Sequence, residues 1–391
     1  MGKIRVAEVI TRLDRGGAPD IYRILCSKLD PAAFDVTLVA GPSEHMTQKT
    51  EDFLKAFSGR LITVPPLVRD INPSSDVMAL FSLWRIFRSN RFDVVHTHTA
   101  KAGALGRLAA RMAGVSVVIH TPHGHNMYGY FGERMTRNII RIEKFLAGRA
   151  DKIVALTELE KDDYIKFGIA PEQKVEVIYQ GLELDRYTCD WKESSALKKS
   201  FGIAPGENVV GMIGRLEKVK GPEYFIEMAA HVLKRFPNTK FIVAGDGALR
   251  PELEARAEKL GVKPEVVFAG WRDDVPEVLS MLDVLVMPSL NEAVGISAIE
   301  AEAEGVSVVA TRVGGIPEIV KDNVTGVLVP PADARALAEA VSALLADRTM
   351  RDRMGSGGRA WVRGRFDARE MVRKTSVLYT ELFNRKRYGI A

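Results

Sequence analysis

Short apolar runs, each long enough for one buried strand, recur along this chain with helix-length stretches between most of them. In the first half they fall at residues 4–10, 34–40, 60–64, 92–95, 117–121, 152–156 and 175–179. Amphipathic stretches lie between, at about 17–29, 100–113 and 133–147. Parallel neighbours need a long crossover, and a helix is the usual one, so this alternation predicts a parallel sheet with helices on its faces. A polar, charge-rich segment from Asp185 to Gly206 interrupts the pattern. It then restarts, with strands expected at 208–213, 240–244, 265–269, 284–287, 307–310 and 326–329, and helices at 221–235, 249–260, 275–281, 295–304 and 332–347. The last 25 or so residues also read as helix.

A chain of 391 residues exceeds what one core usually holds. The expectation is therefore α/β: two doubly wound, Rossmann-like domains facing across a cleft, residues 1–184 and 205–371, joined by a linker at 185–204. In such sheets ligands bind at the carboxyl ends of the strands. The composition, 46% hydrophobic and 27% charged, is that of a soluble globular protein. A net charge of +5 implies mild attraction to anions and, with no nucleic-acid motif, argues against a nucleic-acid partner. Cys26 and Cys189 are too few for a disulfide framework or a thiolate metal site. No apolar run approaches a membrane span, and the first residues lack the apolar region of a signal peptide, so a cytoplasmic setting is expected.

The stretch Met287-Pro-Ser-Leu-Asn-Glu-Ala-Val-Gly-Ile carries the most chemistry. Pro288 stops a strand, a polar loop holding Glu292 follows, and a helix is expected from Gly295 to Glu304 with Glu300 inside it. The free amides of Val294, Gly295 and Ile296 at the helix start would form an anion site, with a carboxylate on either side for hydroxyl-bearing groups. The bland reading is a surface helix with ordinary acidic residues. Gly214-Arg215-Leu216-Glu217-Lys218-Val219-Lys220-Gly221 follows the first strand of the second half. Arg215 and Lys220 there suit a diphosphate, or form a solvated basic loop. Neither a Gly-x-Gly-x-x-Gly at this position nor a Walker lysine motif is present, which weighs against nicotinamide enzymes and ordinary NTPases.

Gly16-Gly17, Gly245-Asp246-Gly247 and Gly314-Gly315 fall at strand ends, where they allow close backbone approach to a ligand or simply make tight turns. His96, His98, His120, His123 and His125 cluster at two neighbouring strand ends. Two His-x-His pairs suit a zinc site, but no carboxylate cluster or Cys accompanies them in sequence, so no metal is expected there. His123, before Gly124, is the best placed to face a substrate, and His120 reads as a core residue. From Tyr128 to Lys144 aromatic and basic residues interleave, with Arg134, Arg137 and Arg141 sharing a helix face. That is either an amphipathic helix packed on the sheet or a surface for anionic lipid or a lipid-linked acceptor.

These motifs in this order resemble the retaining glycosyltransferases of family 4, which have the GT-B fold. Tyr179-Gln180-Gly181-Leu182-Glu183 resembles the family's interdomain Asn-Gly-Val-Asp, with Gln180 and Glu183 as departures. The resemblance implies transfer of a sugar, with retention, from a nucleotide diphosphate donor such as a UDP-sugar to a glycan or lipid-linked acceptor in cell-surface polysaccharide synthesis. It implies that the last helix, from about 372, returns to the first domain. Arg215 and Lys220 would neutralise the diphosphate in place of a metal, so no cofactor is expected. Glu300 would bind the ribose and Glu292 the donor sugar, with Val294, Gly295 and Ile296 donating amides. Gly16, Gly17, Gly214 and Gly245 would line the donor site, and His123 would lie beside the transferred sugar. Ala293 stands where the family usually has Gly, which alters the sugar pocket. A nucleotide-sugar 2-epimerase and a non-catalytic sugar-binding protein are the alternatives. Peripheral contact with the inner face of an anionic membrane is a further expectation.

Overall fold

The computed structural model describes residues 2–124, 132–187 and 195–389. The chain forms two compact units, Met1–Leu182 with Asp367–Ala391, and Glu183–Phe366. The first unit runs β1 (Ile4–Ile10), α1 (Gly17–Lys28), β2 (Phe34–Ala40), α2 (Gln48–Ala56), β3 (Arg60–Thr63), α3 (Pro73–Asn90), β4 (Val94–His98), α4 (Ala100–Ala113), β5 (Val117–Thr121), α5 (Glu133–Ala147), β6 (Lys152–Ala155), α6 (Glu158–Lys166) and β7 (Val175–Val177). The second runs α7 (Ser195–Ser200), β8 (Asn208–Ile213), α8 (Pro222–Val232), β9 (Thr239–Ala244), α9 (Arg250–Lys259), β10 (Val266–Gly270), α10 (Val275–Ser280), β11 (Val284–Met287), α11 (Ile296–Glu304), β12 (Ser307–Thr311), α12 (Ile316–Ile319), β13 (Gly326–Val329), α13 (Ala334–Ala346) and α14 (Arg348–Arg363). Helix α15 (Ala368–Tyr388) completes the first unit.

Each unit is built on one parallel sheet. Their strand orders are β3-β2-β1-β4-β5-β6-β7 and β10-β9-β8-β11-β12-β13. In both, the order reverses beside the first strand of the unit, so a crevice opens at the carboxyl ends of β1 and β4 in one and of β8 and β11 in the other. Val94, Val95, Val117, Val118 and Ile119 are fully buried, as strands covered on both faces require. In the second unit Val210, Phe241, Val284, Val286 and Val309 form the same kind of core against α8 and α13.

Several helices went unassigned from sequence. Helix α3 starts where the Asn72 side chain accepts from the Ser75 amide and Pro73 sits in the first turn. Helix α6 is capped by Thr157, and α2 by Thr47. Asp347 ends α13 and at once caps α14, accepting from the Met350 amide at 2.9 Å, so one expected helix is followed directly by a second. The expected linker at 185–204 is only partly described: Leu184–Arg186 is a 3-10 turn and Ser195–Ser200 is α7, both in the second unit. The chain re-enters the first unit at Asp367, earlier than about 372, because Leu182 and Asp367 form a parallel bridge and the Ala368 amide donates to the Leu182 carbonyl at 2.9 Å.

Candidate functional site

In the second unit the two loops at the crevice are tied together. The Leu290 amide donates to the Val219 carbonyl at 2.8 Å, and a Cβ on Gly221 would lie 2.2 Å from the Pro288 carbonyl oxygen. The side chains meet as well: Lys220 Nζ forms a short ion pair with Glu292 Oε2, which also accepts from the Ser289 hydroxyl at 3.3 Å. Lys220 and Glu292 come from strands that are adjacent in the sheet and 72 residues apart in sequence. Arg215, on the same loop as Lys220, pairs with Glu217 at 2.7 Å, and both side chains are about 40% exposed. An ion pair that open to water is held by little free energy, so the guanidinium can exchange Glu217 for a ligand anion.

Helix α11 starts at Ile296, one residue later than expected. Gly295 is its cap, at φ 87°, a conformation that suits glycine. A side chain there would also collide with Ile316 Cδ1 at 2.4 Å. In the first turn of α11 the Ala298 amide already donates to the Gly295 carbonyl at 2.9 Å. Helical geometry leaves the amides of Gly295, Ile296 and Ser297, at the Glu292 side of the crevice, without an intrahelical acceptor. Val294 is buried, and its side chain serves packing. Glu300, just over one turn into α11, accepts from the Tyr187 hydroxyl at 2.8 Å.

Glycines at the strand ends also bring neighbouring backbones together. A Cβ on Gly245 would lie 1.9 Å from the Gly214 carbonyl oxygen, one on Gly247 would lie 2.6 Å from that of Leu216, and one on Gly314 would lie 1.8 Å from that of Glu292. These glycines let neighbouring loops touch, which fixes the backbones carrying Arg215 and Glu292. Gly214 differs. It sits at φ 156°, and a Cβ there would meet nothing within 4 Å.

In the first unit, Gly16 caps α1 at φ 152°, and Gly17 begins that helix. Across the crevice the Thr11 and Thr99 hydroxyls are 2.9 Å apart, and Thr99 holds φ 68°. His123, after β5, holds φ 57°. A non-glycine residue in the left-handed region costs free energy, and such strain concentrates at functional loops. His123 Nε2 lies 2.9 Å from His98 Nδ1, and its Nδ1 lies 3.2 Å from Gln180 Nε2. His98 Nε2 lies 2.8 Å from the buried Glu8 carboxylate. His120 is a core residue held by Thr97, and a Cβ on Gly103 would strike its ring at 2.2 Å. Burial first, then neighbouring histidines, keeps the His96 imidazole well below its usual range; burial and then His98 do the same for His123. His125, Tyr128 and Tyr130 lie outside the described residues.

One expectation needs correcting. A carboxylate does accompany the histidines, because β1 places Glu8 beside β4. One donor atom each from Glu8, His96 and His98 lies within 4.8 Å of the others, the spacing of a metal group. The three side chains are also hydrogen-bonded, His98 to Glu8, and His96 and Glu8 to the Tyr379 hydroxyl. The sequence signal was a carboxylate in the middle of the apolar run Ile4–Ile10. The other charge of that run, Arg5, is exposed near its start, whereas Glu8 is buried where solvation cannot compensate it.

Helix α5 leaves apolar area exposed: Ile142 and Phe145 are more than half exposed, as is Met135, among exposed Arg134, Arg137, Arg141 and Lys144. The helix is anchored by Glu143, both of whose oxygens accept from Arg107 Nη2 at 3.1 Å.

Two Rossmann-like units, each with its crevice at the reversal of strand order and with paired cation and carboxylate loops in the second, define the GT-B class of glycosyltransferase. Residues 15–186 match the family described as Glycosyltransferase Family 4, and residues 193–361 match Glycosyl transferases group 1. The chain belongs to this family and is a glycosyltransferase. A relative from Escherichia coli, "UDP-Gal:alpha-D-GlcNAc-diphosphoundecaprenol alpha-1,3-galactosyltransferase", is 29% identical over 89% of both chains. An uncharacterized glycosyltransferase of Methanocaldococcus jannaschii is 30% identical over 74% of this chain and 75% of its own. Among solved structures, Anabaena Alr3699/HepE in complex with UDP and glucose superposes with a TM-score of 0.84 at 20% identity, covering 97% of this chain and all of that one. WaaG, a glycosyltransferase involved in lipopolysaccharide biosynthesis, does so at 0.76 and 21%, over 96% and 99%.

Proposed function

We propose that this protein transfers a hexose from a UDP-sugar to a lipid-diphosphate-linked glycan, with retention of anomeric configuration and without a metal. The observation that carries the reading is the Lys220–Glu292 pair at the crevice of the second unit, beside the amino end of α11. As the bond from C1 to the diphosphate oxygen breaks, charge gathers on the leaving group. Lys220, Arg215 and the first-turn amides of α11 would meet that charge. Glu292, once Lys220 turns to the phosphates, has a carboxylate free to accept from sugar hydroxyls, and Glu300 is set to accept from the ribose. The acceptor hydroxyl attacks C1 on the face the diphosphate leaves, and its proton passes to the departing phosphate oxygen. The substrates in the name of the E. coli relative, and the UDP and glucose bound by HepE, favour this donor and acceptor class. The exposed apolar and basic side chains of α5 suit an anionic bilayer bearing such an acceptor.

A panel of nucleotide sugars tested by thermal shift identifies the donor, because a ligand of the folded state raises the melting temperature by mass action. Lys220→Ala should then lower turnover on the order of 100-fold or more, as loss of one leaving-group contact does. Chelator should leave the wild-type rate unchanged, and the product should keep the donor's anomeric configuration by NMR. An inverted product, or no stabilisation by any uridine sugar, defeats the reading. Co-sedimentation with anionic vesicles, lost in a variant with Ile142 and Phe145 both changed to Ser, tests the α5 surface.

A further inference from the structure

The first unit buries a run of polar side chains that the transfer step above does not touch. Glu8 is fully buried in β1, with Ala7 and Val9 equally buried on either side. Its Oε2 accepts from His98 Nε2 at 2.8 Å and its Oε1 from the Tyr379 hydroxyl at 2.6 Å. A carboxylate has no proton to give, so the proton between Glu8 and His98 sits on His98 Nε2. A neutral His98 then carries its lone pair on Nδ1, and His123 Nε2, 2.9 Å away, donates to it. That leaves Nδ1 of a neutral His123 as an acceptor, and Gln180 Nε2 donates to it at 3.2 Å. Every proton in the line from Gln180 through His123 and His98 to Glu8 points the same way. A side arm agrees with it: Tyr379, having donated to Glu8, accepts from His96 Nδ1 at 2.5 Å, and His96 Nε2 accepts from the Thr121 hydroxyl at 2.8 Å.

Both ring nitrogens of His123 are thus used inside this unit, and the same residue holds the left-handed φ of 57°. Its ring is an anchor for a strained backbone. We infer that Glu8 and His98 are positioning residues for the His123 loop at the crevice of the first unit: the buried carboxylate fixes the proton order of the relay and so holds His123 in one ring orientation and one loop conformation. The inference deepens the reading of His123 as the substrate-facing residue of the first unit and rests on it. Without the charge on Glu8, nothing selects the His98 tautomer. In the reversed tautomer His98 Nδ1 carries the proton, His123 Nε2 becomes the acceptor, and His123 Nδ1–H then meets the amide NH2 of Gln180 head on.

The test uses the full chain labelled with [15N]histidine, without donor. In the wild type at neutral pH, His98 and His123 should both show protonated Nε2 and bare Nδ1. Glu8→Gln should give mixed tautomers at both rings and lower kcat about tenfold to a hundredfold, with the donor KM changed little, as misplacement of a site group does. Glu8→Asp should recover part of kcat. If Glu8→Gln fails to fold, His98→Gln replaces it, with the same expectation for kcat and for the His123 ring. Unchanged tautomers in the folded variant, wild-type kcat, or one equivalent of tightly bound metal in the purified protein would overturn the inference. A wild-type protein that turns over no nucleotide sugar would instead remove the transfer reading, while the donor-free spectra still decide the proton order.

Discussion

Glu302 shows what one buried carboxyl does to the whole chain's pH response. It is fully buried in α11, burial raises its pKa to about 8, and only the Thr325 hydroxyl, donating at 2.6 Å, opposes that rise. The folded protein therefore holds this proton to about pH 8, while the unfolded chain releases it near 4.5. Its stabilising contribution is complete below 4.5 and is lost as pH rises towards 8. At about 1.4 kcal/mol per pH unit the span is worth at most about 5 kcal/mol. Glu302→Gln keeps an acceptor for Thr325 and has no proton to lose. Its gain over wild type should be small at pH 5 and several kcal/mol at pH 8.5 by denaturant unfolding. A pH-independent difference would refute the assignment. The depressed histidines act oppositely: His96, His120 and His123 stay neutral in the fold, so stability should also fall as pH drops below about 6.5.

At the scale of elements, α14 carries a built-in control. A Cβ on Gly355 would lie 2.0 Å from the Gly305 carbonyl oxygen, and one on Gly358 would lie 2.9 Å from Glu302 Cγ. Gly357, between them, would meet only the Val324 carbonyl at 3.4 Å. Gly355→Ala should therefore cost on the order of 2–4 kcal/mol by thermal melting, since neither backbone can yield. Gly357→Ala should be neutral or stabilise by up to about 1 kcal/mol, the helix preference of Ala. The same three glycines hid this helix from sequence reading, because propensity argues against helix where close packing demands it. Strands were legible because buried parallel strands read as unbroken Val and Ile. Helix α3 was legible in principle, from Asn72-Pro73 and the buried Ala79, Leu83 and Phe87 at fourfold spacing. The loop residues Lys220 and Glu292 were legible as types at strand ends. Their contact was not, because it depends on which strands lie side by side. Glu8 and Tyr379 lie 371 residues apart and meet only in the fold.

For the whole molecule, the division into Glu183–Phe366 and a discontinuous first unit makes a prediction of its own. Residues 183–366 are one uninterrupted segment with their own core, and should unfold cooperatively when expressed alone. Residues 1–366 should not give a native first unit. Removing α15 takes away buried Leu378, Tyr379 and Phe383 and leaves Glu8 Oε1 without its donor. Calorimetry of that truncation should show one transition from the second unit and a weakened or missing one from the first. Two transitions as strong as those of the full chain would contradict this.

The return of α15 has a consequence for how the protein is made. Domains generally fold as units in the order they leave the ribosome, and here that order cannot hold. The segment born first must wait, its Glu8 Oε1 without a donor, until residues 367–388 have left the ribosome, by which time the segment born second has everything it needs.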